Sequence, residues 1–282
     1  MSKPKIIAVV GPTASGKSSL GIYLAQKLNG EIISADSRQV YKGMRIISRA
    51  ERGHMVGIAN PKKTYSVGEY QQDAVKVVSS ILQKARIPIV VGGAGLYADA
   101  FLRGWQLPKV APNKKLRAAL AKKSPSQLFA LLKKLDIARA ESIERNNPVR
   151  LVRAIEIAKA LGSVPLLVRE SPYNVLWLGL KKSKNIRAGV EVRLKAGMEA
   201  EAKKLRASLS KKRFLEFGFE FVLLANYLDR KITKKQLIDS ITRGEEEYAK
   251  RQSRWFKRNK DIRWVGGKAE ALRLSKKFLS GR

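Results

Sequence analysis

A phosphate-cradling turn, Gly-Pro-Thr-Ala-Ser-Gly-Lys-Ser from Gly11 to Ser18, constrains this chain more than any other stretch. It fits the pattern G-x-x-x-x-G-K-[ST], with Gly11, Gly16, Lys17 and Ser18 at the fixed positions. Lys5 to Val10 before it reads as a short buried strand. Ser18 to Leu28 after it carries Leu20, Leu24 and Leu28 at helical spacing. A strand, a glycine-rich turn and a helix in that order make an anion site. Successive backbone N–H groups face the ligand, and the positive end of the helix dipole points at it. Lys17 adds a point charge, and the Ser18 hydroxyl can hold Mg²⁺. The loop Gly11, Pro12, Thr13, Ala14, Ser15, Gly16, Lys17 and Ser18 is therefore the expected polyphosphate site, without saying which polyphosphate.

Charge and residue usage narrow the chemistry. Lys and Arg total 58 against 23 Asp and Glu, a formal net charge of +35 over 282 residues. That exceeds what solubility needs. It points to a polyanion, with counterion release from nucleic acid as the driving force. No apolar run approaches the length of a membrane span and no signal peptide precedes the first strand, so no membrane partner is expected and a cytoplasmic location is. The chain has no cysteine, and His54 is its one histidine. Disulfides, thiolate or histidine-cluster metal sites and Ser-His or Cys-His nucleophile systems are excluded. Carboxylates, hydroxyls, lysines, arginines and Mg²⁺ must carry any catalysis.

The periodicity predicts an α/β fold: a doubly wound parallel sheet built on the phosphate loop, with an inserted all-helical subdomain. Glu31 to Ala35 reads as a second strand ending at Asp36, and residues 37–65 read as a long loop. Ser66 and Glu69 form a capping box that opens a helix through about Lys84. Ile87 to Val91 is a third strand, followed by Gly92-Gly93-Ala94-Gly95 and a helix through Leu102. Past Pro108 the strand signal disappears. Short basic helices are predicted at 113–123, 125–135, 137–144 and 148–161. A strand over Tyr173–Leu180 returns to the sheet. Helices follow at about 186–209, 219–228 and 234–257, then a short strand at 261–265 and a final helix. The expected divisions are 1–107 for the first part of the core, 108–168 for a helical insertion, and 169–282 for the rest of the core.

Asp36 sits at the carboxyl end of its strand. In an open parallel sheet that end faces the ligand crevice beside the phosphate loop. A carboxylate there can take a proton from a nucleophile attacking a loop-anchored group. It can equally start a turn with Ser37. Arg150 and Arg153, spaced i, i+3, can face RNA together or pair with Glu156. Trp255 and Phe256 read as core, and His54 as a loop residue.

Three stretches carry a resemblance: the phosphate loop, Ile32 to Met44 (Ile-Ile-Ser-Ala-Asp-Ser-Arg-Gln-Val-Tyr-Lys-Gly-Met), and Val91 to Tyr97. Together they resemble the tRNA dimethylallyltransferase family. Asn147–Glu156 and Tyr248–Phe256 extend the likeness over about residues 5–265. The resemblance implies transfer of a prenyl group from dimethylallyl diphosphate to the exocyclic amine of the adenosine 3′ of the tRNA anticodon, with Mg²⁺ as cofactor and the protein acting as a monomer. It implies catalytic roles for Asp36 and Lys17. The loop and Arg251 would bind the diphosphate. Asp36, Ser37, Arg38, Gln39, Lys42, Ala94, Arg117, Arg150 and Arg153 would bind the tRNA anticodon loop. The chain departs from the pattern at Ala94, where Thr is usual, and at Arg45–Ala50. It departs again at Phe217-Gly218-Phe219-Glu220, where a basic residue is usual. A small-molecule kinase uses a similar loop and aspartate, and an adenylate isopentenyltransferase acts on free nucleotides. The strong positive charge argues against both.

Overall fold

Ile6, Ile7, Ala8, Val9 and Val10 are all fully shielded from solvent. A strand apolar on both faces must be covered on both, which is the signature of a parallel sheet between helical layers. The computed structural model describes residues 3–181 and 185–281 and bears this out. The described residues form two compact units: Met1–Gly104 with Glu170–Arg282, and Trp105–Arg169.

In the larger unit, β1 (Lys5–Val10) leads through the phosphate loop into α1 (Lys17–Lys27) and β2 (Gly30–Ser34). A long irregular segment then reaches α2 (Val67–Gln83), β3 (Ile87–Gly92) and α3 (Gly95–Leu102). The smaller unit contains α4 (Lys114–Leu120), α5 (Pro125–Leu135), α6 (Ile137–Ser142) and α7 (Pro148–Leu161). The chain re-enters the larger unit at β4 (Asn174–Gly179) and continues as α8 (Ile186–Lys195), α9 (Met198–Ser208), α10 (Lys211–Leu215) and α11 (Phe219–Leu228). It closes with α12 (Lys234–Lys257), β5 (Arg263–Trp264) and α13 (Lys268–Ser280).

The strands pair in parallel in the order β2-β3-β1-β4-β5. Alternate side chains enter opposite cores, as the period of two demands. Ile7 and Val9 pack with Leu20 and Leu24 of α1 and Ala271 of α13. Ile6, Ala8 and Val10 pack on the other side with Tyr70, Phe101 and Phe221. This is the doubly wound α/β core that the sequence predicts. Ser66 does form the capping box with Glu69. Among the described residues, no helix is long and apolar enough to cross a membrane.

Four sequence expectations need correction. The helix anticipated over 186–209 is two helices, because Gly197 takes φ 103, a left-handed turn that residues with a Cβ resist. The helix α10 had no clear signal in its five residues. The helices predicted at 113–123 and 137–144 stop at Leu120 and Ser142. The last strand shrinks to Arg263–Trp264. Phe256 is core as read, whereas Trp255 is half-buried and its indole N–H donates to Asp99 at 2.7 Å.

The smaller unit has its own apolar centre, including Leu120, Leu128, Leu132, Leu151 and Ile155. Glu156 is buried beside it, only 2% exposed. It accepts from Arg117 Nη2 at 2.8 Å, Arg153 Nη1 at 2.7 Å and the Asn113 N–H at 2.6 Å.

Candidate active site

The carboxyl ends of β1, β2 and β3 meet at one crevice, the expected ligand side of an open parallel sheet. The phosphate loop leaves β1, Asp36 follows β2, and Gly93 and Ala94 follow β3. Ala35 N–H donates to Val91 O at 2.8 Å and Ala94 N–H to Ala35 O at 3.1 Å, which ties the last two together. From α12, Gln252 binds two of these loops: it accepts from Thr13 N–H at 2.7 Å and donates to Gly93 O at 2.9 Å.

The crevice encloses ≈ 330 Å³. Thr13 through Ser18, Asp36, Gln39 and Arg49 line it, with Ile22, Ile32, Val56 and Val91 as an apolar wall. Ser15 is only 7% exposed, and its hydroxyl has no hydrogen-bond partner among the described residues. A buried, orphaned donor in an anion loop matches a missing acceptor. Lys17 Nζ donates to Pro12 O at 2.5 Å. Desolvation lowers the Lys17 ammonium to about 8, against the opposing pull of Asp36 and with added repulsion from Arg49. Asp36 Oδ1 accepts the N–H of Arg38 at 2.9 Å and of Gln39 at 3.3 Å. The carboxylate therefore both starts the turn and borders the crevice.

Several expected contact residues are engaged elsewhere. The Gln39 amide accepts from Ser34 Oγ at 2.6 Å and donates to Ser48 O at 3.0 Å, so it braces the loop after β2 rather than standing free to read a base. Arg38 pairs with Glu220. Ser37 and Lys42 are exposed, and Lys42 borders a different groove, beside α9. Ala94 caps α3. Arg251 is exposed with its guanidinium 5.6 Å from the Tyr248 ring, outside the crevice lining. Lys250 pairs with Glu247 at 2.6 Å. In the smaller unit Arg117 and Arg153 are clamped on Glu156, while Arg150 is over half exposed at 54% and pairs with Glu144 at 3.2 Å. His54 is a structural pin. Its ring contacts Glu31 at 2.5 Å, and its backbone bridges to β2.

Beside the crevice lies a charge cluster that the sequence reading missed. Arg193 of α8 pairs with Glu220 of α11 at 2.7 Å and with Glu245 of α12. Glu245 also holds Arg49 at 2.7 Å. Glu220 stands where a basic residue was expected, and it turns inward to Arg193 and Arg38. One signal was available: Glu220 is the lone charge within Phe-Glu-Phe-Val-Leu-Leu, and a carboxylate on so apolar a helix needs a buried partner.

A family described as IPP transferase matches residues 39–259, most of the chain. The chain belongs to the IPP transferase family. The match begins after the phosphate loop and Asp36. Among its relatives, a tRNA dimethylallyltransferase of Roseiflexus sp. (strain RS-1) is 37% identical over 283 residues, covering 90% of each chain. The crystal structure of a tRNA isopentenylpyrophosphate transferase from Bacillus halodurans superposes with TM-score 0.71 at 31% identity, covering 99% of this chain and 96% of that one. A eukaryotic dimethylallyltransferase acting on tRNA shares the fold, with TM-score 0.78 at 23% identity and coverage of 99% and 80%.

Proposed function

We propose that this protein transfers a dimethylallyl group from dimethylallyl diphosphate to the exocyclic amine of the adenosine 3′ of the anticodon in tRNA. The observation that carries this reading is the joint position of Lys17, the orphaned Ser15 hydroxyl and the Asp36 carboxylate on one crevice, in a chain whose relatives are tRNA dimethylallyltransferases. The loop N–H groups and Lys17 hold the diphosphate and stabilise the charge that develops on it as it leaves. Ile22, Ile32, Val56 and Val91 offer apolar surface to a hydrocarbon tail beside that anion.

The adenine amine attacks the allylic carbon. A C–N bond forms, the C–O bond to diphosphate breaks, and Asp36 takes the amine proton before passing it to solvent. The N–H groups of Arg38 and Gln39 hold the carboxylate at the crevice edge. Orientation matters because an adenine amine is a weak nucleophile. The target base must leave its stack to reach this depth. The basic surface supplies the grip on the RNA backbone. Of Arg117, Arg150 and Arg153, Arg150 is the best placed for that contact, since the other two are clamped on Glu156.

The hard oxygen of the Ser18 hydroxyl on the crevice fits Mg²⁺, which favours a few protein oxygens together with substrate phosphates and leaves Asp36 to the proton. Bound there, Mg²⁺ would neutralise diphosphate charge. In this reading the protein acts as a monomer on cytoplasmic tRNA. Incubation with labelled dimethylallyl diphosphate tests the reaction. Label should enter tRNA without ATP and should not enter free AMP. Strict dependence on ATP points instead to a kinase, and labelling of AMP alone to a free-nucleotide transferase.

A further inference from the structure

Arg49 lies on the loop after β2, within the stretch Arg45–Ala50 that departs from the family pattern. Its backbone takes φ 55, the left-handed region that a side chain with a Cβ disfavours. Strain of this kind persists only where the surroundings over-determine it, and it clusters at functional sites. Here the surroundings do over-determine it. Gln39 Nε2 donates to Arg49 O at 3.3 Å, and Arg49 N–H donates to Ile46 O at 3.2 Å. Glu201 of α9 accepts the Ile46 N–H at 2.6 Å.

The side chain is as closely prepared as the backbone. Glu245 takes Arg49 Nη2 at 2.7 Å. Gly189 of α8 leaves the space: a Cβ there would sit 3.0 Å from Arg49 Nη2. Arg49 Nε is buried and has no hydrogen-bond partner among the described residues. The side chain as a whole keeps 28% exposure, so it is open on one side. Thr13, Lys17, Asp36, Ser48, Arg49 and Gly93 border both the main crevice and the small recess adjoining it. The open side of Arg49 thus shares its space with the phosphate loop.

Lys17, Arg49 and, at the exposed rim, Arg52 border one crevice, and an arginine fork matches phosphate oxygens in a way a lone ammonium does not. We infer that Arg49 is a second diphosphate-binding residue, gripping the leaving group from across the crevice opposite the phosphate loop. This rests on the proposed use of dimethylallyl diphosphate. Glu245 and Gly189 act as positioning residues for it. The rival occupant of such a guanidinium is an RNA phosphate. The diphosphate is favoured because Arg49 lines the same crevice as the phosphate loop.

The test is calorimetric titration of inorganic diphosphate into wild type, Arg49→Gln and Arg49→Lys, alongside tRNA binding by each. Arg49→Gln should weaken diphosphate binding about 10- to 100-fold, the worth of one charge-assisted contact. Arg49→Lys should fall between, and tRNA affinity should stay constant. Glu245 keeps Arg193 as a partner in both variants, which favours folding. Should either variant fail to fold, the wild type still decides. Diphosphate should shield Arg49, but not exposed Arg45, from an arginine-specific dicarbonyl reagent mapped by mass spectrometry. Unchanged diphosphate affinity in folded Arg49→Gln, or a loss confined to tRNA, or no shielding, overturns the inference and leaves the prenyl-transfer reading intact. A wild type that binds no diphosphate at all overturns both.

Discussion

Glu220 of α11 and Arg193 of α8 form an ion pair at 2.7 Å with side chains only 0% and 6% exposed. Without Arg193, Glu220 keeps only the partly exposed Arg38 and Glu245 only the partly exposed Arg49, so two buried carboxylates are left less well compensated. Arg193 is also shared with Glu245 and donates to Ile47 O at 2.8 Å, so it fastens α8, α11, α12 and the loop after β2 at one point. Arg193→Met should cost about 3–5 kcal/mol in denaturant unfolding. A loss below about 1 kcal/mol would mean that the helices hold this arrangement without the cluster.

Asp36→Asn should keep the fold. An asparagine Oδ1 can still accept the Arg38 and Gln39 N–H groups that Asp36 binds. It cannot take the amine proton. Turnover should fall about 10²–10⁴-fold with little change in tRNA affinity. Single-turnover transfer at near the wild-type rate would remove the base role from this residue.

How much of this was legible in the sequence follows from the range of each interaction. The phosphate loop, its flanking strand and helix, and the Ser66–Glu69 capping box are local patterns, and each is present. The helical content of Trp105–Arg169 was legible from the loss of strand signal, but the ends of its short helices were not. The Arg49–Glu245–Arg193–Glu220 cluster joins positions up to 196 residues apart. In a chain with 58 basic residues, no single arginine stands out as buried. Gln39 looked free because nothing local reveals that residues 48 and 49 fold back onto its amide. The break at Gly197 was hidden because apolar residues continue at helical spacing on both sides.

Glu156 gives the smaller unit a pH signature. Burial alone would raise its carboxyl, but hydrogen bonds from Arg117, Arg153 and the Asn113 N–H outweigh this and hold it at about 2, against an ordinary 4.5. A carboxyl lowered on folding contributes stability that is complete above its unfolded value and is lost as pH falls through its folded value. Amide protection in α7, taken relative to the intrinsic exchange rate at each pH, should fall between pH 4.5 and about 2 in wild type. Glu156→Gln should be less protected at neutral pH and show little further loss of protection across that window. An identical acid profile in both proteins would contradict the assignment.

The arginines of the smaller unit should separate by role. Arg150→Ala should weaken tRNA binding similarly across sequences and lower the salt slope by about one, as for a phosphate contact. Arg153→Ala should mainly destabilise α7, because its guanidinium bonds Glu156 at 2.7 Å and Val110 O at 2.9 Å. Salt titrations of tRNA binding, paired with thermal unfolding, check both. An Arg150 variant with unchanged affinity and slope would take that helix out of RNA contact.

The central claim is prenyl transfer to one adenosine of tRNA, driven by departure of the diphosphate held in the loop from Gly11 to Ser18. The most direct measurement is mass-spectrometric mapping of tRNA after incubation with the protein and dimethylallyl diphosphate, without ATP, using Lys17→Ala as the control. A single dimethylallyl adduct is expected on the adenosine 3′ of the anticodon, sharply reduced in the control. An unmodified tRNA, or an adduct formed equally well by the Lys17 variant, would contradict it.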